Sequence, residues 1–128
     1  MGPAPQILLI EDEPAIRRAL SRFLSHKGCA VTETGDGTEA LSLIAEKPFD
    51  VVICDINLPG RDGTAVWRST AKSHPQTASR FLFISALPLP DEIRRAGPRY
   101  LPKPFELPAL WKEVQQILRA ESHQQQQL

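Results

Sequence analysis

Four short apolar runs each lead into a residue able to do polar chemistry. Ile7-Leu8-Leu9-Ile10 runs into Glu11-Asp12-Glu13, Val51-Val52-Ile53-Cys54 into Asp55, Phe81-Leu82-Phe83-Ile84 into Ser85, and Tyr100-Leu101 is followed closely by Lys103. Carboxylates gathered in one place repel: two like charges 4 Å apart cost roughly 4 kcal/mol at an effective dielectric of 20. Such a set needs a cation, or one member must hold a proton. Hard oxygen ligands with room for water suit Mg²⁺, the more so when a phosphate completes its shell. A phosphoryl group on Asp55 would then meet a metal, the Ser85 hydroxyl and the Lys103 ammonium. That set stabilises the charge of in-line phosphoryl transfer, where positioning and electrostatics do nearly all the work. Lys103 also offsets the acids before any phosphate arrives.

Whether these groups meet depends on the elements between them. Pro14 opens a helix at its first turn. Ile16, Leu20, Phe23 and Leu24 share its apolar face, Arg17, Arg18 and Arg22 fall elsewhere, and Gly28 ends it. Ala30–Glu33 reads as a second, half-polar strand. Asp36-Gly37-Thr38 turns the chain and caps a second helix with its face on Ala40, Leu41 and Ile44. Val51–Cys54 is apolar throughout, as a central parallel strand should be. Leu58 to Gly63 is a loop, with a modest helix expected from Ala65 to Lys72 and a further all-apolar strand at Phe81–Ile84. Leu87-Pro88-Leu89-Pro90 excludes regular helix, because each proline removes a donor and restricts its predecessor. Asp91 to Ala96 has room for one or two turns before Gly97-Pro98. Tyr100-Leu101 is a short last strand, and Leu110, Trp111, Val114, Ile117 and Leu118 mark a final amphipathic helix with Pro108 in its first turn.

Five strands alternating with about five helices predict an α/β fold with a parallel sheet covered on both faces. The expected arrangement is the flavodoxin-like doubly wound sheet, order 2-1-3-4-5. Ligands of such sheets bind beyond the carboxyl ends of the strands, where strands 1 and 3 diverge. Glu11, Asp12 and Asp55 fall at that place.

The 128 residues suit one domain, set at 1–121, with the polar, glutamine-rich 122–128 expected to be a disordered tail. Lys+Arg and Asp+Glu both number 15, so the formal charge is zero and no basic nucleic-acid footprint is present. No membrane-length apolar run and no signal peptide are visible. Cys29 and Cys54 form no ligand pair and read as reduced core residues, so the expected location is the cytoplasm.

The runs Leu9-Ile10-Glu11-Asp12-Glu13, Val52-Ile53-Cys54-Asp55-Ile56-Asn57-Leu58-Pro59-Gly60, Phe83-Ile84-Ser85-Ala86 and Tyr100-Leu101-Pro102-Lys103-Pro104-Phe105 together resemble the response-regulator receiver domains of two-component signalling, from Ile7 to about Leu118. The resemblance implies the following roles. Asp55 is the aspartate phosphorylated by a histidine kinase or histidine phosphotransfer protein. Glu11 and Asp12 hold Mg²⁺ (Mn²⁺ can replace it), Glu11 through water, together with Asp55 and the backbone carbonyl of Asn57. Ser85 is the switch hydroxyl, Ala86 the small residue beside the site, Lys103 the conserved-type lysine ahead of a cis proline, and Tyr100 the aromatic that moves with Ser85. Catalysis is limited to the domain's own phosphorylation and slow autodephosphorylation, with the signal passing to an unidentified downstream protein.

The chain departs from that pattern in one region. Ser85 and Lys103 are 18 positions apart, about a turn short, and two prolines occupy the start of the fourth helix. That helix is expected to be short or irregular, and any partner or homodimer contact to avoid its face. Two other functions compete: a pseudo-receiver that only binds partners, and an aspartyl-nucleophile phosphatase. Asp55-Ile56-Asn57-Leu58 faintly resembles the haloacid dehalogenase motif, but Asn57 replaces that motif's general acid.

Overall fold

The computed structural model describes residues 2–126, with side chains over 2–120. The elements run β1 (Gln6–Ile10), α1 (Pro14–His26), β2 (Ala30–Thr34), α2 (Gly37–Glu46), β3 (Val51–Asp55), α3 (Gly63–Ser73), α4 (Pro75–Ala78), β4 (Phe81–Ser85), α5 (Asp91–Ala96), β5 (Arg99–Pro102) and α6 (Leu107–Gln126). All strand pairs are parallel, in the order β2-β1-β3-β4-β5, as the alternation of elements predicts.

The period-two alternation of strand side chains divides the core in two. Leu8, Ile10, Val52, Cys54, Phe81 and Phe83 face one side with Ala40, Ile44, Val66 and Ile93 of the helices. Ile7, Leu9, Val51, Ile53, Leu82 and Ile84 face the other, against Leu20, Leu24, Leu110, Val114 and Ile117. Every residue of β3 and β4 is buried. Fully burying an aliphatic or aromatic side chain contributes about 1.5–3 kcal/mol. The best-packed strands are therefore the two that carry Asp55 and Ser85.

Local signals set most boundaries. Gly28 takes φ +90° just past α1, and Gly97 takes φ +97° past α5, conformations that side chains resist. The Asp36 carboxylate accepts from Thr38 N–H at the start of α2. The Asp62 carboxylate accepts from Ala65 N–H and from the Thr64 hydroxyl at the start of α3. These bonds, the Thr64 hydroxyl first, hold the Asp62 carboxyl below its ordinary 3.8. Asp62→Ala is expected to cost about 1 kcal/mol at neutral pH. A lowered folded pKa means the cap's contribution is complete above the ordinary value and is lost as pH falls through the lowered one. Thermal melts of both proteins at neutral and acid pH should therefore converge in acid.

Two details differ from expectation. The third helix begins at Gly63, two residues earlier than Ala65, because Asp62 caps it. An additional turn, α4, fills the connection to β4, so the described residues form six helices where about five were expected, and the helix expected as the fourth is α5 here. That helix has only 6 residues, as the prolines require. The expected tail, 122–128, lies outside the described side chains, while the α6 backbone is traced to Gln126. Among the described residues no helix is long and apolar enough to cross a membrane.

Candidate functional site

The carboxyl ends of β1, β3, β4 and β5 bring the anticipated residues to one edge of the sheet. Glu11 follows β1, and its N–H completes the ladder by donating to Thr34 O (3.0 Å). Asp55 closes β3. Carboxylate oxygens of Glu11, Asp12 and Asp55 lie within 4.8 Å of one another. Glu11 and Asp55 are buried (1 % and 6 % exposed) while Asp12 is open to solvent. The Lys103 Nζ bridges the two buried acids, donating to Glu11 Oε1 at 2.6 Å and to Asp55 Oδ2 at 2.7 Å. Asp55 Oδ1 accepts from Asn57 N–H (3.2 Å), and Glu11 Oε2 from Glu13 N–H (3.3 Å).

Burial pushes the Glu11 carboxyl above its ordinary 4.5, and Lys103 only partly offsets this. Burial acts to lower the Lys103 pKa, but its bonds to Asp55 and Glu11 prevail and raise it above 10.5. Three acids and one amine leave this oxygen-only cluster short of positive charge. The residues fit a hard divalent cation such as Mg²⁺.

The other anticipated residues form a linked loop. Ser85 is buried, and its Oγ accepts from Leu87 N–H (2.9 Å). The Tyr100 hydroxyl donates to Leu87 O at 2.7 Å, with Ser85 O a longer second acceptor at 3.2 Å. Ser85 O also accepts from Lys103 N–H (2.9 Å), and the Lys103–Pro104 peptide is cis. Ser85, Tyr100 and Lys103 are thus joined through the backbone of the β4–α5 loop. Asn57 is brought to the site by its N–H.

Two contributors lie outside the sequence reading. Gly63, read there as part of the loop, sits so close to the acceptor that a Cβ would come within 2.1 Å of Asp55 O, and its N–H donates to Ile56 O (2.7 Å). A glycine eight residues past an acidic strand end is the available signal. Arg17, read there as lying off the apolar face of α1, turns back to the site, and its Nη1 donates to the Glu11 carbonyl at 2.7 Å. Trp67 and Trp111 are half-buried packing residues, Trp67 bonding Ala78 O (3.2 Å) and Trp111 lying under Lys27. Neither belongs to the site.

Residues 7–115 match the model of the response regulator receiver domain. The chain is 36 % identical over 121 residues to the transcriptional activator protein PfeR of Pseudomonas aeruginosa, covering 91 % of this chain and 39 % of PfeR. It spans roughly half or less of the length of the first curated relatives it matches. Its fold superposes on the receiver domain of the Francisella response regulator 1452 with a TM-score of 0.82 at 26 % identity, covering 91 % of this chain and 98 % of that one. The response regulator TrrA of Thermotoga maritima, solved in complex with Mg²⁺-BeF, gives a TM-score of 0.81 at 28 % identity, covering 89 % and 99 %.

Proposed function

The chain belongs to the response regulator receiver domain family, and on that premise we propose that it accepts a phosphoryl group on Asp55 from the phosphohistidine of a histidine kinase or histidine phosphotransfer protein. The observation that carries this is the Lys103 ammonium spanning Asp55 and Glu11 beside the open Asp12. An Asp55 carboxylate oxygen attacks phosphorus as the P–N bond breaks. The electron pair of that bond leaves on the imidazole nitrogen, which takes up a proton, and an acyl phosphate remains. Lys103 is placed to pair with a phosphoryl oxygen while it keeps Glu11 in position. Glu11, Asp12, Asp55 and the Asn57 carbonyl would hold Mg²⁺, or Mn²⁺, which when bound would supply the positive charge that offsets the acids and the transferring phosphoryl group.

The signal starts at Ser85. Its hydroxyl turns from Leu87 N–H to the phosphoryl group, freeing the loop whose Leu87 carbonyl holds Tyr100. Phosphorylation then shifts a two-state equilibrium that a downstream protein reads. With α5 reduced to 6 residues, that partner or a second copy binds away from its face. Beyond its own phosphorylation and slow dephosphorylation the domain catalyses nothing, and it works in the cytoplasm, where phosphohistidine donors are made.

The wild-type chain, incubated with acetyl phosphate and Mg²⁺, is expected to gain the mass of one phosphoryl group. No gain over the metal-free control would make the chain an interaction module, and steady release of free phosphate from a general ester would make it a phosphatase.

A further inference from the structure

We propose that Arg17 is a positioning residue for the metal site, acting through the backbone of Glu11. The pairing of β1 with β2 and β3 ends at Ile10, so the sheet offers no donor to the Glu11 carbonyl. That carbonyl belongs to a residue only 1 % exposed, and a buried carbonyl without a partner is costly. The Arg17 Nη1 supplies the bond, reaching back one turn from inside α1. The guanidinium is held from its other side, with Nε 3.7 Å from Glu33 Oε1 on β2. Glu33 is itself fixed by the Ser21 hydroxyl, which donates to its Oε2 (3.0 Å).

Space around the guanidinium is also restricted. A Cβ at Gly35 would come within 2.8 Å of Arg17 Nη1, while Asp12 Cα and Glu11 O would lie at ordinary contact distances of 3.4 and 3.5 Å. Gly35 therefore leaves room for the arginine and for little else. Thr34 O fixes the Glu11 N–H, Arg17 fixes the Glu11 C=O, and between them they aim Glu11 and the adjoining Asp12. Partners of this kind commonly change metal affinity 10–100-fold when removed.

The inference rests on the Mg²⁺ site of the proposed function, and the experiment separates the two. Mg²⁺ is titrated calorimetrically into wild type, Arg17→Lys and Gly35→Ala. Arg17→Lys keeps the charge but loses the planar fork. Gly35→Ala keeps every charge and displaces the end of the Arg17 side chain. Both variants are expected to bind Mg²⁺ about ten-fold more weakly. The acetyl phosphate rate should return to the wild-type value at saturating Mg²⁺, a split that general loosening of the fold would not give. If Arg17→Lys fails to fold, Gly35→Ala decides. Unchanged Mg²⁺ affinity in the folded variants overturns the role of Arg17, whereas wild type failing to bind Mg²⁺ overturns the site itself.

Discussion

Asp55→Asn is expected to take up no phosphoryl group from acetyl phosphate or from a phosphohistidine donor, and yet to melt at a higher temperature than wild type when metal is absent. The first result follows because an amide oxygen is a poor nucleophile and its phosphorylated product has no stable form. The second follows from the charges. Asp55 shares a space of less than 4.8 Å with two other acids. Each like-charge pair at such a range costs roughly 1 kcal/mol in water and 4 kcal/mol at an effective dielectric of 20. Asparagine retains an acceptor for Asn57 N–H, and Lys103 retains Glu11. The net gain should be about 1 kcal/mol. Adding Mg²⁺ should reverse the order, because binding to the folded state stabilises wild type by mass action and the variant has lost a ligand. Mass spectrometry and paired melts with and without Mg²⁺ check both parts; a variant less stable than wild type in chelator would contradict the electrostatic reading.

Lys103→Met should slow phosphoryl uptake about 10²–10³-fold, the usual effect of removing one donor aimed at developing charge. It should also cost about 2 kcal/mol of metal-free stability, because two buried carboxylates lose a charged partner. The pH dependence carries a sign. The folded pKa of Lys103 is raised, so its contribution is complete below its ordinary 10.5 and is lost as pH rises through the folded value. Glu11 is also raised, chiefly by burial, so ionising it costs stability as pH climbs past 4.5, and more so without Lys103. The deficit of the variant should therefore be greatest between these ranges and shrink toward both extremes, as denaturant titrations across pH can measure. Equal stability of the two proteins at neutral pH would show that the ammonium does not compensate the acids.

Much of the site was legible because the strands are short, apolar and sharply ended. Once β1, β3, β4 and β5 are aligned in parallel, Glu11, Asp55, Ser85 and Lys103 must fall at one edge, and the strand order places Asp12 beside them. The Asp36 cap and the Gly28 and Gly97 stops could be read because each depends on a few adjacent residues. The turn at Pro75–Ala78 could not, since His74-Pro75-Gln76-Thr77 carries no apolar period and is held by packing of Thr77 and Ala78. The start of α3 is not legible in the same way, because glycine ordinarily discourages helix, whereas at position 63 closeness to Asp55 demands it. The placement of Arg17 is hidden from the sequence for a related reason. Helical periodicity separates apolar from polar faces but does not say that a polar side chain will fold back over a strand end.

The glycine contacts also bear on where this fold tolerates changes of length. Gly63 rests on the Asp55 carbonyl, and Gly37 lies so near the Arg61 carbonyl that a Cβ would come within 1.9 Å of it. Residues 56–62 are clasped at both ends, so an insertion there would force the acceptor strand or α2 to shift. The stretch after Ser85 is tied by the Leu87 hydrogen bonds but has no glycine pressed against neighbouring backbone, and Ala86, Leu87 and Pro88 are open to solvent. A change of length is therefore expected to be accommodated most readily in the β4–α5 connection of this chain, away from the Gly37 and Gly63 contacts.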